Sequence, residues 1–417
     1  MPPVKTSSSK TLSKGDEMEM RMARLWFWEG HFARSGIDLK WHYHPEPLIV
    51  TDLDLLAFDV QPSLRVSRTI GEVKTGSGKS APKPLDRIVW LRGLKELVDA
   101  DNVELVSGIP PSARARKLAS SIGVSAQSLA DVERRESRAQ VGSVQETGSH
   151  GARATQERFW VHKYCKSHQN LERAFWFLRS EVWFHDDVSA CKRLIGLYRQ
   201  LSELWTPDID DADSRALRWL FAETVSVFGL FAVAVASEAV KYSPEMLAAE
   251  IGERLSAGHA PADAMRRIAA DVDKYVAGLL AAANASANVR TEAMGALHPE
   301  APPWTGQFVE LLTRVASVSA HAQALPRQLD VLVYESVVWR REVNSEPYAR
   351  LSLGDPEVGR LIRLIAAFLR SQAANVDVID RALSTEIRAA RVKQSSNDDV
   401  ASVDDMTGLA QRSLLET

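Results

Sequence analysis

The segment Leu48 to Phe58 constrains the fold first, because it has the apolar content of a buried β-strand but carries two aspartates. Side chains in a strand alternate faces, so Asp52 and Asp54 share a face with Leu48, Val50, Leu56 and Phe58. A buried carboxylate without a partner is costly, so the surrounding fold must supply compensating charge. A second strand over Thr69 to Thr75 brings Glu72 and Lys74 onto one face of its own. Lys74 is one compensator for the acids; a divalent cation held by Asp54 and Glu72 is another.

The elements around these strands alternate in type. Asp16 to Arg34 has a helical period, and Pro84 to Ala100 is an amphipathic helix with Ile88, Leu91, Leu94, Leu97 and Val98 on one face. Val103 to Ser107 reads as a third strand, followed by short helices over Ser112–Ser121 and Ser128–Arg135. Such interleaving predicts an α/β N-terminal domain over residues 15–136, after a Ser/Lys-rich disordered start at 1–14. Residues 137–156 are rich in Gly, Ser and Gln and predict a flexible linker. From 157 to 392 almost everything reads as helix, as in Asp355-Pro356-Glu357, an N-cap, N1-proline and first-turn acid. Fold class is therefore an α/β domain plus a larger all-α C-terminal domain, with a flexible acidic tail at 393–417.

Composition narrows the environment. The net charge of −3 over 417 residues excludes wholesale electrostatic binding, so any basic nucleic-acid or membrane surface is local. Two cysteines, Cys165 and Cys191, exclude a disulfide framework and fit a reducing cytosol. No apolar signal segment follows Met1, and the most apolar run, Thr224 to Ser237, is about 14 residues long, short for a membrane span. The expectation is a soluble cytoplasmic protein with no membrane partner.

Asp54, about 17 residues and then Glu72-x-Lys74 resembles the PD-(D/E)xK restriction-endonuclease-like superfamily. The flanks agree: a helix bearing Glu17 and Glu19 precedes the first strand, and a helix, a strand and another helix follow Lys74. The likeness covers roughly residues 15–136, and Leu53 stands where the family usually has proline. It implies a restriction-endonuclease-like α/β/α core with a mixed sheet. It also implies hydrolysis of phosphodiester bonds, DNA before RNA, with Asp54, Glu72 and Lys74 catalytic. Mg²⁺ or Mn²⁺ would be held by Asp54 and Glu72, with a further acid from the first helix; Glu19 is the choice over Glu17 and Glu29. Mg²⁺ suits one or two carboxylates plus waters and substrate phosphate. A lysine beside it would orient or deprotonate the attacking water. By family analogy the role is anti-phage or mobile-element defence, with the helical domain sensing, oligomerising or binding a protein partner.

Other motifs are weaker. Gly76-Ser77-Gly78-Lys79-Ser80 imitates a phosphate loop, but Val73 occupies the position of its first glycine. Residues 112–135 imitate a helix-turn-helix and support the competing expectation, a non-catalytic DNA-binding or regulatory protein. His162, Cys165 and His168 have metal-like spacing without a fourth ligand, and Arg179 with His185 echoes the HEPN ribonucleases.

Overall fold

A computed structural model of the chain describes residues 12–41, 48–76, 83–141, 148–206, 211–256, 262–283, 300–341, 351 and 355–373. Residues 77–80 of the segment that imitates a phosphate loop, and the acidic tail expected at 393–417, lie outside these residues.

Helix α1 (Lys14–Glu29) starts at Ser13, whose hydroxyl accepts from the Asp16 N–H while the Asp16 carboxylate accepts from the Ser13 N–H. It stops at Gly30, whose φ of 116° ends a helix without steric penalty. The helix expected to continue to Arg34 is therefore cut short. Phe32–Trp41 forms instead a strand, β1, that the sequence reading missed.

Strands β1, β2 (Leu48–Val60), β3 (Val66–Lys74), β4 (Asn102–Ser107) and β5 (Ser125–Ser128) form one five-stranded mixed sheet in chain order. The first three are antiparallel, and β3, β4 and β5 are parallel. Parallel neighbours need crossovers, which α2 (Pro84–Leu97) and α3 (Ala113–Ser121) supply. Because Ser125–Ser128 pairs with β4, no recognition helix starts at Ser125. Helix α4 (Leu129–Arg138) begins only after it, capped reciprocally by Ser128 and Asp131. The helix-turn-helix reading of 112–135 is thereby replaced.

One face of the sheet packs Leu55, Ala57, Val73 and Val106 against Met22 and Trp26 of α1 and Val132 of α4. Gly71 belongs to this face. A Cβ there would stand 2.5 Å from the Trp26 ring, and the Trp26 indole N–H donates to Glu104 at 3.2 Å. Gly71→Ala should consequently cost about 1–3 kcal/mol, the range for overpacking a filled core. A thermal melt of the variant checks this, and an unchanged midpoint would mean that Trp26 has room to move.

The other face carries Phe32, Leu56, Phe58 and Ile70, and its core runs on into the helical part without a break. Phe58 stacks on Trp183 at 5.7 Å and meets the edge of Phe231 at 6.4 Å. That helical part comprises α5 (Ala152–Cys165), α6 (Gln169–Arg179), α7 (Asp187–Leu204), α8 (Asp211–Ala239), α9 (Pro244–Ser256) and α10 (Ala262–Ala282). It continues through α11 (Thr305–Ser317), α12 (Ser319–Ala322), α13 (Leu325–Val333) and α14 (Pro356–Gln372). The fold changes character near residue 137, as the sequence suggests, yet the two parts share a core. The segment read as a free linker is tied down where it is described: Val141 and His150 are buried, and the Ser149 N–H donates to Asp330 at 3.1 Å.

Helix α8 is twice the length read from its apolar run. It is long enough to cross a membrane and its most apolar 18-residue stretch has a mean hydropathy of 1.9, but 94% of that stretch is buried inside the protein. It is the central core helix.

Candidate functional site

The β2–β3 ladder runs from Val60 opposite Val66 up to Leu55 opposite Gly71. Just past that last pair a side chain takes over from the backbone: Asp54 Oδ2 accepts the Val73 N–H at 2.7 Å. Lys74 Nζ sits between the two carboxylates, 3.2 Å from Asp54 Oδ2 and 3.0 Å from Glu72 Oε1. The structure thus brings Asp54, Glu72 and Lys74 together, as the period-two reading of the two strands requires. Asp52, by contrast, is exposed, as is Val50. The buried stretch starts later along β2 than the apolar pattern suggests.

Sequence reasoning missed one participant. Arg87, on the first turn of α2, bonds to Glu72 Oε1 and lies over the Trp90 ring at 4.2 Å. Its only sequence signal is a position on the crossover helix that follows the Glu-x-Lys strand.

The acids are held in an environment that resists their charge. Asp54 is 7% exposed, and burial raises its pKa more than Lys74 and the Val73 N–H lower it. Burial also works against the Lys74 ammonium, but Asp54 and Glu72 outweigh it and lift Lys74 above the usual lysine value. At neutral pH Lys74 is therefore an ammonium that can orient a water or stabilise negative charge. In this state it is not a base.

Among the three acids of α1 considered from sequence, Glu17 is exposed and Glu29 is bonded to Arg135 at 2.6 Å. Glu19 is the one that Asp54 acts on: burial first, and the Asp54 charge second, push its carboxyl up to about 7. Between the ordinary glutamate value of 4.5 and about 7 the folded protein keeps a proton that the unfolded chain releases. Stability from this group is full below that window, falls as pH rises through it, and stays reduced above. Glu19→Gln should accordingly melt higher than wild type near pH ~8, with the gain vanishing near pH ~4. Parallel melts at the two pH values check this, and a gain independent of pH would point to packing.

Among the described residues, no group of three or more His, Cys, Asp or Glu side chains is arranged to hold a metal ion. Glu19 therefore does not join Asp54 and Glu72 as a third ligand in this arrangement. A two-carboxylate set still suits Mg²⁺, which keeps most of its ligands as water and substrate oxygens. One observation favours such a fit: Glu72 Oε2 is buried and accepts no hydrogen bond, leaving an anionic oxygen for a cation to meet.

The other candidate clusters dissolve into packing. His162 stacks on Phe175 at 4.8 Å, His168 on Tyr164 at 4.5 Å, and Cys165 is buried with its thiol pushed up to about 12 by burial. Arg179 donates to the Ser35 and Gly36 carbonyls, whereas His185 lies beside Phe177 and lines a different cavity. They form no HEPN-like pair. Compared with known family models, curated proteins and solved structures, the chain matches none.

Proposed function

We propose that the protein is a metal-dependent nuclease of the restriction-endonuclease-like kind, hydrolysing phosphodiester bonds of DNA in preference to RNA. The observation that carries this reading is the convergence of Asp54 and Glu72 on one ammonium, Lys74, where side-chain bonding replaces the β2–β3 ladder. The Asp54 strand β2 beside the Glu-x-Lys strand β3, with α1 before the sheet and α2 after Lys74, supports the resemblance set out from the sequence.

In this reading Asp54 and Glu72 would hold Mg²⁺ or Mn²⁺, which when bound supplies a Lewis acid and lowers the pKa of water. Lys74, kept protonated by the two acids, orients the water that attacks phosphorus and faces the charge that develops there. Arg87 holds the Glu72 carboxylate from the α2 side, fixing its rotamer. Glu19, with a pKa near neutrality, is placed to take or return a proton close to Asp54. Defence against foreign DNA and a sensing or partner-binding role for the helical part remain part of this proposal by analogy.

A second reading has its own observation. Two carboxylates and two cations, Lys74 and Arg87, neutralise each other within the site. A purely structural ion cluster in a non-catalytic α/β core has the same composition. The test is a panel of plasmid, single-stranded DNA and RNA substrates incubated with the full chain and Mg²⁺ or Mn²⁺. Metal-dependent cleavage of DNA ahead of RNA is expected. No cleavage of any substrate, with no metal binding by wild type beyond that of Asp54→Ala, favours the structural cluster.

A further inference from the structure

A second cluster of charge lies one strand away. The guanidinium groups of Arg158 on α5 and Arg179 at the end of α6 both lie on β1 at Ser35 and Gly36. Arg158 donates to Ser35 Oγ at 3.2 Å and both donate to the Ser35 carbonyl. Gly36 leaves them room, since a Cβ there would come within 3.3 Å of Arg158 Nη1. Among the described residues neither arginine has a carboxylate within ion-pair distance. The acid that acts most on Arg158 is Glu19, which lies beyond ion-pair distance and has its carboxyl pushed up to about 7. The next, Glu223, is committed to Arg34 and also accepts from Tyr334, and Asp330 is likewise bound to Arg34. At neutral pH Glu19 is only partly ionised, so Arg34, Arg158 and Arg179 meet two full carboxylate charges and part of a third, a positive excess inside the protein that is unfavourable without a counter-charge.

These groups enclose a cavity of about 20 Å³, room for roughly one water-sized group. Two of its lining side chains have polar atoms without a hydrogen-bond partner: Trp219 Nε1, on a residue 1% exposed, and His150 Nε2, on a residue 5% exposed. The indole N–H can only donate. Beside the cavity the chain leaves the α-helix for a single π turn, Tyr334–Val338, a departure often found where a site is built.

We infer that this cavity is a binding site for a small monovalent anion, of the chloride class, held by Arg158, Arg179 and the Trp219 N–H. Burial and the neighbouring Arg158 bring the Arg179 pKa down to about 9, and burial holds His150 near 4, so His150 adds no positive charge at neutral pH. An anion there would relieve the crowding of the two guanidinium groups. It would also fasten α5, α6 and α8 to the part of β1 that faces Asp54, since Ser35 pairs with Leu55 and Ile37 with Leu53. The site does not depend on whether Asp54, Glu72 and Lys74 cleave anything. The volume argues against phosphate and sulfate, which are larger than the space.

The test compares thermal melting of the full chain in potassium chloride and potassium gluconate at equal ionic strength, with sulfate as a size control. The midpoint should rise with each tenfold increase in chloride and stay flat in gluconate and sulfate. Trp219→Phe, which keeps the buried ring and removes the donor, should weaken that rise, and Arg179→Gln should abolish it. Bromide-soaked crystals of wild-type protein should show an anomalous peak between Arg158, Arg179 and Trp219. Equal melting in chloride and gluconate, or a water in the cavity of bromide-soaked crystals, would overturn the inference.

Discussion

Lys74→Met should leave the protein melting close to wild type while lowering the rate of metal-dependent cleavage by ~10²–10³-fold, the range for losing one donor that faces developing charge. The side chain is 32% exposed, so water already screens part of the charge that methionine would remove. Asp54 keeps the Val73 N–H and Glu72 keeps Arg87, so neither carboxylate is stranded. Metal affinity should hold or rise, because the cation that competes with the metal for both acids is gone. The structural ion-cluster reading predicts no cleavage by wild type to lose. A Lys74→Met enzyme that cuts at the wild-type rate removes Lys74 from the mechanism.

The second large effect lies in the shared core. Arg34 is 3% exposed and donates to Glu223 at 3.1 Å, to Asp330 at 2.7 Å and to Ser226 at 3.0 Å. Arg34→Met should destabilise the protein by ~3–5 kcal/mol, because two buried carboxylates lose their cation. Denaturant unfolding measures it. Arg34→Lys, which restores a cation beside both acids, should recover part of the loss. If Arg34→Lys unfolds as easily as Arg34→Met, packing and the guanidinium's fixed hydrogen bonds, not charge alone, set the cost. Arg34 lies on β1 while Glu223 and Asp330 lie on α8 and α13, so both transitions should report the sheet and the helices melting as one unit.

Residue patterns of short range reveal the candidate site and little else about its surroundings. Asp54, Glu72 and Lys74 can be placed from sequence because strand alternation is a local rule and the three lie within two neighbouring strands. Strand β1 does alternate over Ile37-Asp38-Leu39-Lys40-Trp41, but its start, Phe32 to Arg34, continues the period of the preceding helix and so reads as part of it. The partners that make Arg34 acceptable inside stand 189 and 296 residues away. Strand β5 is four residues long and nearly without apolar side chains, so Ser125–Ser128 looks like the turn before a helix. The linker reading follows composition, which carries no trace of the Ser149–Asp330 bond that ties the segment down. Arg158 on α5 and Arg179 at the end of α6 carry no local signal of a site, and only the fold sets them on the Ser35 carbonyl beside the strand that bears Asp54.

The central claim is that Asp54 and Glu72 form the metal-dependent centre of a nuclease. Its most direct measurement is the rate of supercoiled plasmid conversion by the full chain and by Asp54→Asn, side by side in Mg²⁺ and in EDTA. The account predicts conversion by wild type in Mg²⁺ only, and none by Asp54→Asn although it melts like wild type. Equal conversion by the two proteins, or conversion that persists in EDTA, would contradict it.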